Sequence, residues 1–383
     1  MSASISCSEA LAAIRRGEKL PVDAVRRLGE EQSGDFFRIV IEGLADSFER
    51  SQAAAYKDLM RAWIPESGRP AASIPARVDS VYVLSRVTLG ADIKITSMVL
   101  DAMKRRFPAA RIRFVANRKS AELFAMDERV ECLEANYPRS GPVSTRIAFA
   151  ETLRREIDGK NNIVVDPDSR MTQLGLIPVC EPRRYFHFNT RDESAPGNLT
   201  NLTAQWLERN FAQAGQAYIA VRRENIRKDA SRAAVSFGVG ENDSKRIQGD
   251  FEARVLRCLG SRFETVWIDR GIGGEEAERV TQAVEASALG RRARYWEGSF
   301  AGFASVISQC DFYAGYDSAG QHAAAASGVP VVSFFKGASS PLFRERWMPA
   351  GSGPIDVVDA DTLQAEACLE KLRALLELPR LFS

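Results

Sequence analysis

Residues 315–335 read GYDSAGQHAAAASGVPVVSFF. The run before them, DFYAGYD over 311–317, has the short apolar character of a buried strand. Ser318 can then cap a helix that passes through four alanines to about Ser327. Gly328 suits the position after a helix end, and Pro330 forbids continuation. A second strand follows at 329–335. Strand, helix, strand in this order predicts a βαβ unit and a parallel sheet. His322, one of only two histidines in the chain, falls in the first turn of that helix. The amides around Ala319, Gly320 and Gln321 form a natural anion site, and the small side chains allow a ligand to come close. The positive helix end disfavours an imidazolium, so a neutral ring is expected, able to donate to a phosphate or a sugar hydroxyl. Asp317 at the strand end can accept from hydroxyls. Small residues that merely pack the helix on its sheet, with His322 a core residue, are the alternative.

Outward from this unit the same alternation continues. Strands are expected at 233–238, 263–269 and 293–298, with helices at 250–259, 275–288 and 300–309. Before them lies an earlier series: strands at 81–85, 111–117, 130–133, 162–166 and 184–189, with a helix over 93–106 ended by Pro108. Two consecutive α/β sheets follow, with ligand sites at the C-terminal ends of their strands. Residues 190–229 are polar and could bridge them. Residues 1 to about 70 alternate apolar and charged positions at helical spacing, and Pro65–Pro75 reads as a linker. We therefore divide the chain into a helical region (1–75), a first Rossmann-like domain (76–200), an interdomain segment (201–232), a second Rossmann-like domain (233–360) and a C-terminal helix (361–383).

The 383 residues are ample for two cores, and 45% are apolar. With 52 basic and 50 acidic residues the net charge is +2, which gives no whole-molecule attraction to nucleic acid or an anionic membrane. No secretory signal or spanning helix is expected. Six scattered cysteines without a CxxC, and two distant histidines, make no zinc site; reduced thiols in a cytoplasm are expected.

The pattern Asp-Ser-x-x-x-His-x-Ala-Ala-Ala-x-Gly-Val-Pro-Val-Val at 317–332 resembles the donor-site motif of glycosyltransferase family 9, the heptosyltransferases of lipopolysaccharide synthesis. FFKGASSPLFRERWMP (334–349) is similar to that family's Phe-Gly-x-x-x-Pro-x-x-Trp-x-Pro tail, with Lys336 before the Gly. VSFGVGENDSKRIQGDFEARVL (235–256) looks like its phosphate-side segment, with Ile247 where the family has Trp. The resemblance spans about residues 80–359. It implies an α/β fold of GT-B architecture, two Rossmann-like domains facing a cleft, the first for acceptor and the second for donor. It implies an inverting, metal-independent enzyme with no cofactor, transferring from a nucleotide-diphosphate sugar (ADP-heptose by family default) to an acceptor hydroxyl on a glycolipid, glycan or other compound. A cytoplasmic place, at most peripheral at the inner membrane face, goes with it. A nucleotide-sugar epimerase or hydrolase of the same fold, or a non-catalytic nucleotide-binding scaffold, are the alternatives.

Carried onto this chain, the resemblance assigns Lys245, assisted by Arg246, to the donor diphosphate after the Gly238 turn, together with Asp317, Ser318, Ala319, Gly320 and His322. Glu275 or Glu276 would bind ribose hydroxyls, or simply favour the helix dipole. The family's base corresponds to Asp92 in Arg86-Val-Thr-Leu-Gly-Ala-Asp92, where the Gly sits one place early. Asp92 also suits the N-cap of a helix beginning at Ile93. Arg86, Asp166 and Asp168 are expected on the acceptor side, with the two carboxylates as reserve acids. His187 is expected to be structural. Residues 1–75 lie outside the resemblance and could pair subunits or hold a partner.

Overall fold

The computed structural model describes residues 5–45, 47, 49–65, 68–191, 196–226, 231–240, 243–271, 273–338 and 340–378. Its first sheet contains β1 (Ser80–Leu84), β2 (Arg111–Ala116), β3 (Val130–Glu134), β4 (Asn162–Asp166) and β5 (Tyr185–His187), in the order β3-β2-β1-β4-β5. The second contains β6 (Arg232–Ser236), β7 (Thr265–Asp269), β8 (Ala293–Trp296), β9 (Phe312–Tyr316), β10 (Val331–Phe335) and β11 (Ile355–Asp359), in the order β11-β10-β9-β6-β7-β8. Every pairing is parallel. Central strands such as β1, β9 and β10 are buried along their whole length, as strands covered by helices on both faces must be. Among the described residues no helix is long and apolar enough to cross a membrane.

The sequence reading ends the second sheet at β10. The structure adds β11, whose Ile-Asp-Val-Val-Asp is mostly half-buried and polar at the edge, and which is recruited by the ladder Val331↔Ile355 to Phe335↔Asp359. The C-terminal helix Ala365–Leu376 lies on this second domain, where Cys368, Leu369 and Leu372 join its core.

Strand order reverses once in each sheet, between β1 and β4 and between β6 and β9. In open parallel sheets the loops leaving the strands diverge at such a point and leave a crevice. One apolar cluster joins the two domains here, running from Val83, Ile95 and Phe186 to Tyr313, Ala323 and Phe303. The segment after the helix Leu199–Phe211 crosses between them. Ala220 exchanges backbone hydrogen bonds with Leu123 and Met126, and the Glu224 amide donates to Ser305 Oγ at 2.8 Å.

The N-terminal helices, Cys7–Arg15, Val22–Glu31, a run over 33–45 and Arg50–Met60, bury a core of their own that includes Phe36, Val40 and Leu44. Ser6 and Glu9 form a reciprocal capping box at its start. This core continues into the first domain through Val143, Ile147 and Leu174. The Arg146 guanidinium lies 3.0 Å over the Phe37 ring, and Tyr56 donates to the Gln173 carbonyl at 3.0 Å. The appended region is therefore packed on the first domain rather than tethered to it.

Candidate functional site

The loops at the two reversal points enclose a cavity of about 220 Å3. From the β1 and β4 side it is lined by Arg86, Gly90, Asp168, Arg170 and Arg191; from the β6 and β9 side by Lys245, Asp317, Ser318, Ala319 and His322; Trp347 and Phe343 close one end. A larger cavity of about 510 Å3 lies among the N-terminal helices and contains none of the residues singled out in the sequence.

The second-domain wall follows directly from the local sequence. β9 delivers Asp317 at its end, Ser318 is the N-cap in extended conformation, and the helix Ala319–Ala326 starts at once. Lys245 reaches across from the loop after β6 and donates to Asp317 Oδ2 at 2.7 Å. The other Asp317 oxygen accepts from Gln321 Nε2 at 2.6 Å, and Gln321 is held in turn by the Ser333 hydroxyl from β10. His322 is buried and its pKa lies well below the usual value. The chief cause is burial, followed by the ammonium groups of Lys94 and Lys245. The neutral ring is as expected, with a different main cause. Its ring lies 6.2 Å from that of Trp347, over which the Arg86 guanidinium sits at 5.7 Å.

Behind this wall, the Gly238 turn meets Glu276. A Cβ on Gly238 would come within 2.9 Å of Glu276 Oε1, and one on Gly271 within 2.9 Å of its carboxyl carbon. Burial raises the Glu276 pKa, with Arg246 pulling the other way. Glu275 is exposed. Of the two acids, then, Glu276 is the one turned toward the β6 loop. Arg246 points away from the cavity, donating to Asp243 Oδ1 at 2.9 Å and to the Phe237 carbonyl at 3.2 Å. Gly320 packs against the Tyr313 hydroxyl, where a Cβ would stand only 2.1 Å away. Ile247 joins the core.

The first-domain wall is an ionic cluster. Asp168 is buried and has φ 72°, a left-handed conformation in which side chains are uncommon. Its Oδ2 accepts from Thr190 Oγ1 at 2.6 Å and from Arg191, while Arg86 Nη1 lies 3.8 Å away and His187 Nε2 lies 3.5 Å from Oδ1. Burial pushes this carboxyl up. Arg191, His187 and Arg86 outweigh burial and hold it well below the usual carboxylate range. Arg86 also donates to the Pro167 carbonyl at 2.7 Å and to Thr190 at 2.6 Å. Arg191 and Arg170 are gripped from behind by the appended helices, through the Ala45 carbonyl at 2.8 Å and the Glu42 carboxylate.

Two of the expected acids lie behind this wall. Asp92 has no exposed surface and does not line the cavity. It accepts from Ser85 Oγ at 2.6 Å, from the Arg86 amide at 2.8 Å and from Thr96 Oγ1 at 2.9 Å. Burial raises its pKa, and these bonds draw it back only in part. Nor is it an N-cap: the helix begins at Leu89, with Thr88 at the cap, and turns π-helical over Asp92–Thr96. Asp92 instead ties that helix to the loop after β1. Asp166, fully buried, accepts from the Ser169 amide at 2.6 Å and from the Thr172 and Tyr185 hydroxyls. It fixes the turn that presents Asp168.

The site thus joins Arg86, Asp168, Lys245, Asp317, Ser318, Ala319 and His322. Arg170 and Arg191 were not picked out in the sequence, and Trp347 entered only as part of the tail motif at 334–349. Both arginines stand just beyond β4 and β5, so basic residues following strand ends were the available signal. Among the described residues no group of three or more His, Cys, Asp or Glu could hold a metal ion.

No protein-family model matches the sequence, and no curated protein matches it. Solved structures do. A family 9 glycosyltransferase from Veillonella parvula DSM 2008 superposes with a TM-score of 0.60 at 16% identity, over 79% of this chain and 99% of that one. The E. coli heptosyltransferase WaaC with ADP gives 0.57 at 16% identity, over 77% and 99%. E. coli ADP-heptose lps heptosyltransferase II gives 0.52 at 16% identity, over 78% and 98%. The fold is that of the GT-B glycosyltransferases, two Rossmann-like domains about a cleft.

Proposed function

We propose that this protein is a glycosyltransferase of the family 9 kind, moving a sugar from a nucleotide-diphosphate donor to an acceptor hydroxyl with inversion and without a metal. The observation that carries this reading is the pairing of Lys245 with a helix start at Ser318, set on one Rossmann-like unit and facing the Asp168 cluster of the other across the cavity. The acceptor oxygen forms a bond to the anomeric carbon from the Asp168 side as the bond from that carbon to the diphosphate oxygen breaks. Negative charge develops on the leaving diphosphate. Lys245 and the amides at the start of the Ala319–Ala326 helix neutralise it without reorganisation. Neutral His322 donates a hydrogen bond without adding charge. The hydroxyl proton passes to a carboxylate. Asp317 stands on the side of the leaving diphosphate, so the carboxylate assigned this role is Asp168, which lines the cavity from the first domain where Asp92 does not. Its low pKa keeps it ionised at neutral pH, which suits it to orient the hydroxyl and leaves it a weak base for the proton. Glu276 takes the ribose hydroxyls. ADP-heptose is the donor that the resemblance favours.

The test is calorimetry with ADP, UDP, GDP, dTDP and CMP in the presence of chelator. Binding of one diphosphate, lost in Lys245→Ala, supports the donor site. No binding by any of them would overturn it. Sugar release from the matching donor without any acceptor would instead favour a hydrolase.

A further inference from the structure

The cavity of about 510 Å3 among the N-terminal helices takes no part in the chemistry above. It is walled by the end of the Cys7–Arg15 helix, the turn after it, the start of the Val22–Glu31 helix and one side of the Arg50–Met60 helix. Val25, Leu59 and Ala62, all buried, are the apolar residues at its base. Ile14 and Leu20 are half-buried beside them, and Val22 stands 56% exposed at the opening. The other apolar positions that the Arg50–Met60 helix turns to it are Ala54 and Ala55, too short to fill the space. Protein interiors close such hollows, because each larger apolar side chain that entered would be stabilising. The volume is that of a ligand site, roughly 300–1,000 Å3.

The charges of the lining are unequal. Arg15, Lys19 and Arg61 stand against Glu18 and Asp58. Asp58 is matched by Arg61 at 2.7 Å, and Glu18 by Arg16, outside the lining, at 2.6 Å. That leaves Arg15 and Lys19. Among the described residues Arg15 donates to neutral oxygens only, Gln52 Oε1 and the Gly43 carbonyl, each at 3.3 Å, and Lys19 pairs with no carboxylate. Two cations thus stand at the edge of an apolar hollow. No lining residue is aromatic, and Gln52, the half-buried polar one, is already held by Arg15 and Glu49. The walls therefore offer neither ring stacking nor a hydrogen bond from within.

We propose that this cavity binds one molecule of an amphiphile with a single alkyl chain and an anionic head, of the fatty-acid class, the chain lying over Val25, Leu59 and Ala62 and the head at Arg15 and Lys19. An alkyl chain needs no directional partner, so aliphatic walls suffice for it. The head stays in water at the edge, where the two cations meet it. Affinity then comes chiefly from the buried chain, and the exposed cations select the sign of the head. The ligand is a single molecule rather than a bilayer. A membrane surface needs a broad apolar face, whereas among the described residues the large apolar side chains that stand exposed are Val22, Met126 and Tyr295. Met126 lies just before β3 and Tyr295 in β8, so Val22 is alone in its region.

Calorimetry of the full chain with the octanoate, decanoate and dodecanoate anions, each below its micelle threshold, tests this. One anion should bind per chain. Each added methylene should raise affinity about fourfold, the factor to which ~0.8 kcal/mol corresponds. Decyltrimethylammonium, with the same chain and the opposite head, should bind more weakly than decanoate. Lys19→Glu should weaken decanoate by about two- to fivefold, the scale of an exposed charge contact, and should not weaken decyltrimethylammonium. Ala55→Phe, which fills the hollow, should abolish binding of both. A dodecanoate analogue carrying a diazirine on its chain should label the peptides that hold residues 14–25 and 51–62, a readout on the wild type that stands even if Ala55→Phe does not fold. Absence of binding, an affinity indifferent to chain length or to the sign of the head, or label placed elsewhere would overturn the proposal. So would a dimer in sedimentation that Val22→Asp dissociates, which would give the cavity to a second copy of the chain. None of these measurements uses a nucleotide sugar, so they stand or fall separately from the transferase reading.

Discussion

On the second-domain wall of the cleft, the groups that meet the cavity come from short stretches of one βαβ series: Lys245 after β6, and Asp317, Ser318, Ala319 and His322 after β9. On the first-domain wall they come from four places, Arg86, Asp168, Arg170 and Arg191, with Glu42 and the Ala45 carbonyl behind them. The contrast is chemical as well as topological. The second-domain wall has one lysine, backbone amides and a neutral ring around a small-residue helix. The opposite wall clusters guanidinium groups about one buried carboxylate. On the proposed reading, a wall that binds a constant diphosphate can be local and repeat a motif. A wall whose partner differs from one enzyme to another can be assembled from distant segments, here including the appended N-terminal helices.

The largest expected effect tests the ionic wall. Asp168→Ala removes the buried carboxylate that Arg191 and Arg86 meet on this wall and should lower unfolding free energy by about 3–5 kcal/mol, measured by urea denaturation. Because the Asp168 pKa is depressed in the folded chain, its contribution is complete above the unfolded value near ~3.9 and is lost as pH falls below it. The stability gap between wild type and Asp168→Asn should therefore be constant from neutral pH down to about 5 and shrink below that. A gap that widens on acidification would break the argument.

On the donor wall, Lys245→Ala should reduce turnover, or nucleoside-diphosphate affinity, by about 10²-fold, the order seen when one preorganised charge-stabilising group is removed. At the seam between the walls, Gly90→Ala puts a methyl 3.1 Å from His322 Cδ2 and 3.4 Å from the Ala319 Cα. It should lower unfolding free energy by about 1–3 kcal/mol, the usual range for overpacking, measured by urea denaturation. The smallest effect separates two neighbours. Glu276→Gln should weaken nucleotide binding by about 1 kcal/mol, the worth of one hydrogen bond, whereas Glu275→Gln should leave it unchanged. Equal losses from both would return the ribose contact to an open choice.

Much of the fold was legible because it rests on local signals. Apolar runs of five residues, helical periodicity between them and the Gly328 and Pro330 stop mark the strands and helices well, and the same periodicity reads residues 1 to about 70 as helical, where the described residues hold helices between Cys7 and Met60. β11 escaped because an edge strand with mostly half-buried, polar faces has little apolar pattern of its own and depends on pairing with β10. The start of the helix at Leu89 escaped for a related reason. Asp92 is an excellent capping residue, but its carboxylate serves the loop behind it, and Thr88 holds the cap position.

By itself, then, the sequence determined the alternation of strands and helices, the two-sheet plan and the cavity wall from Asp317 to His322, since each is written in residues that are neighbours along the chain. Tertiary structure alone decided which acids face the cleft, and that Arg170 and Arg191 are steadied by the appended helices. The physical reason is that burial, pKa and hydrogen-bond partnership depend on groups brought together from distant parts of the chain. Asp166 and Asp168 show it at the smallest scale: two residues apart, one is locked beneath the wall and the other stands in it.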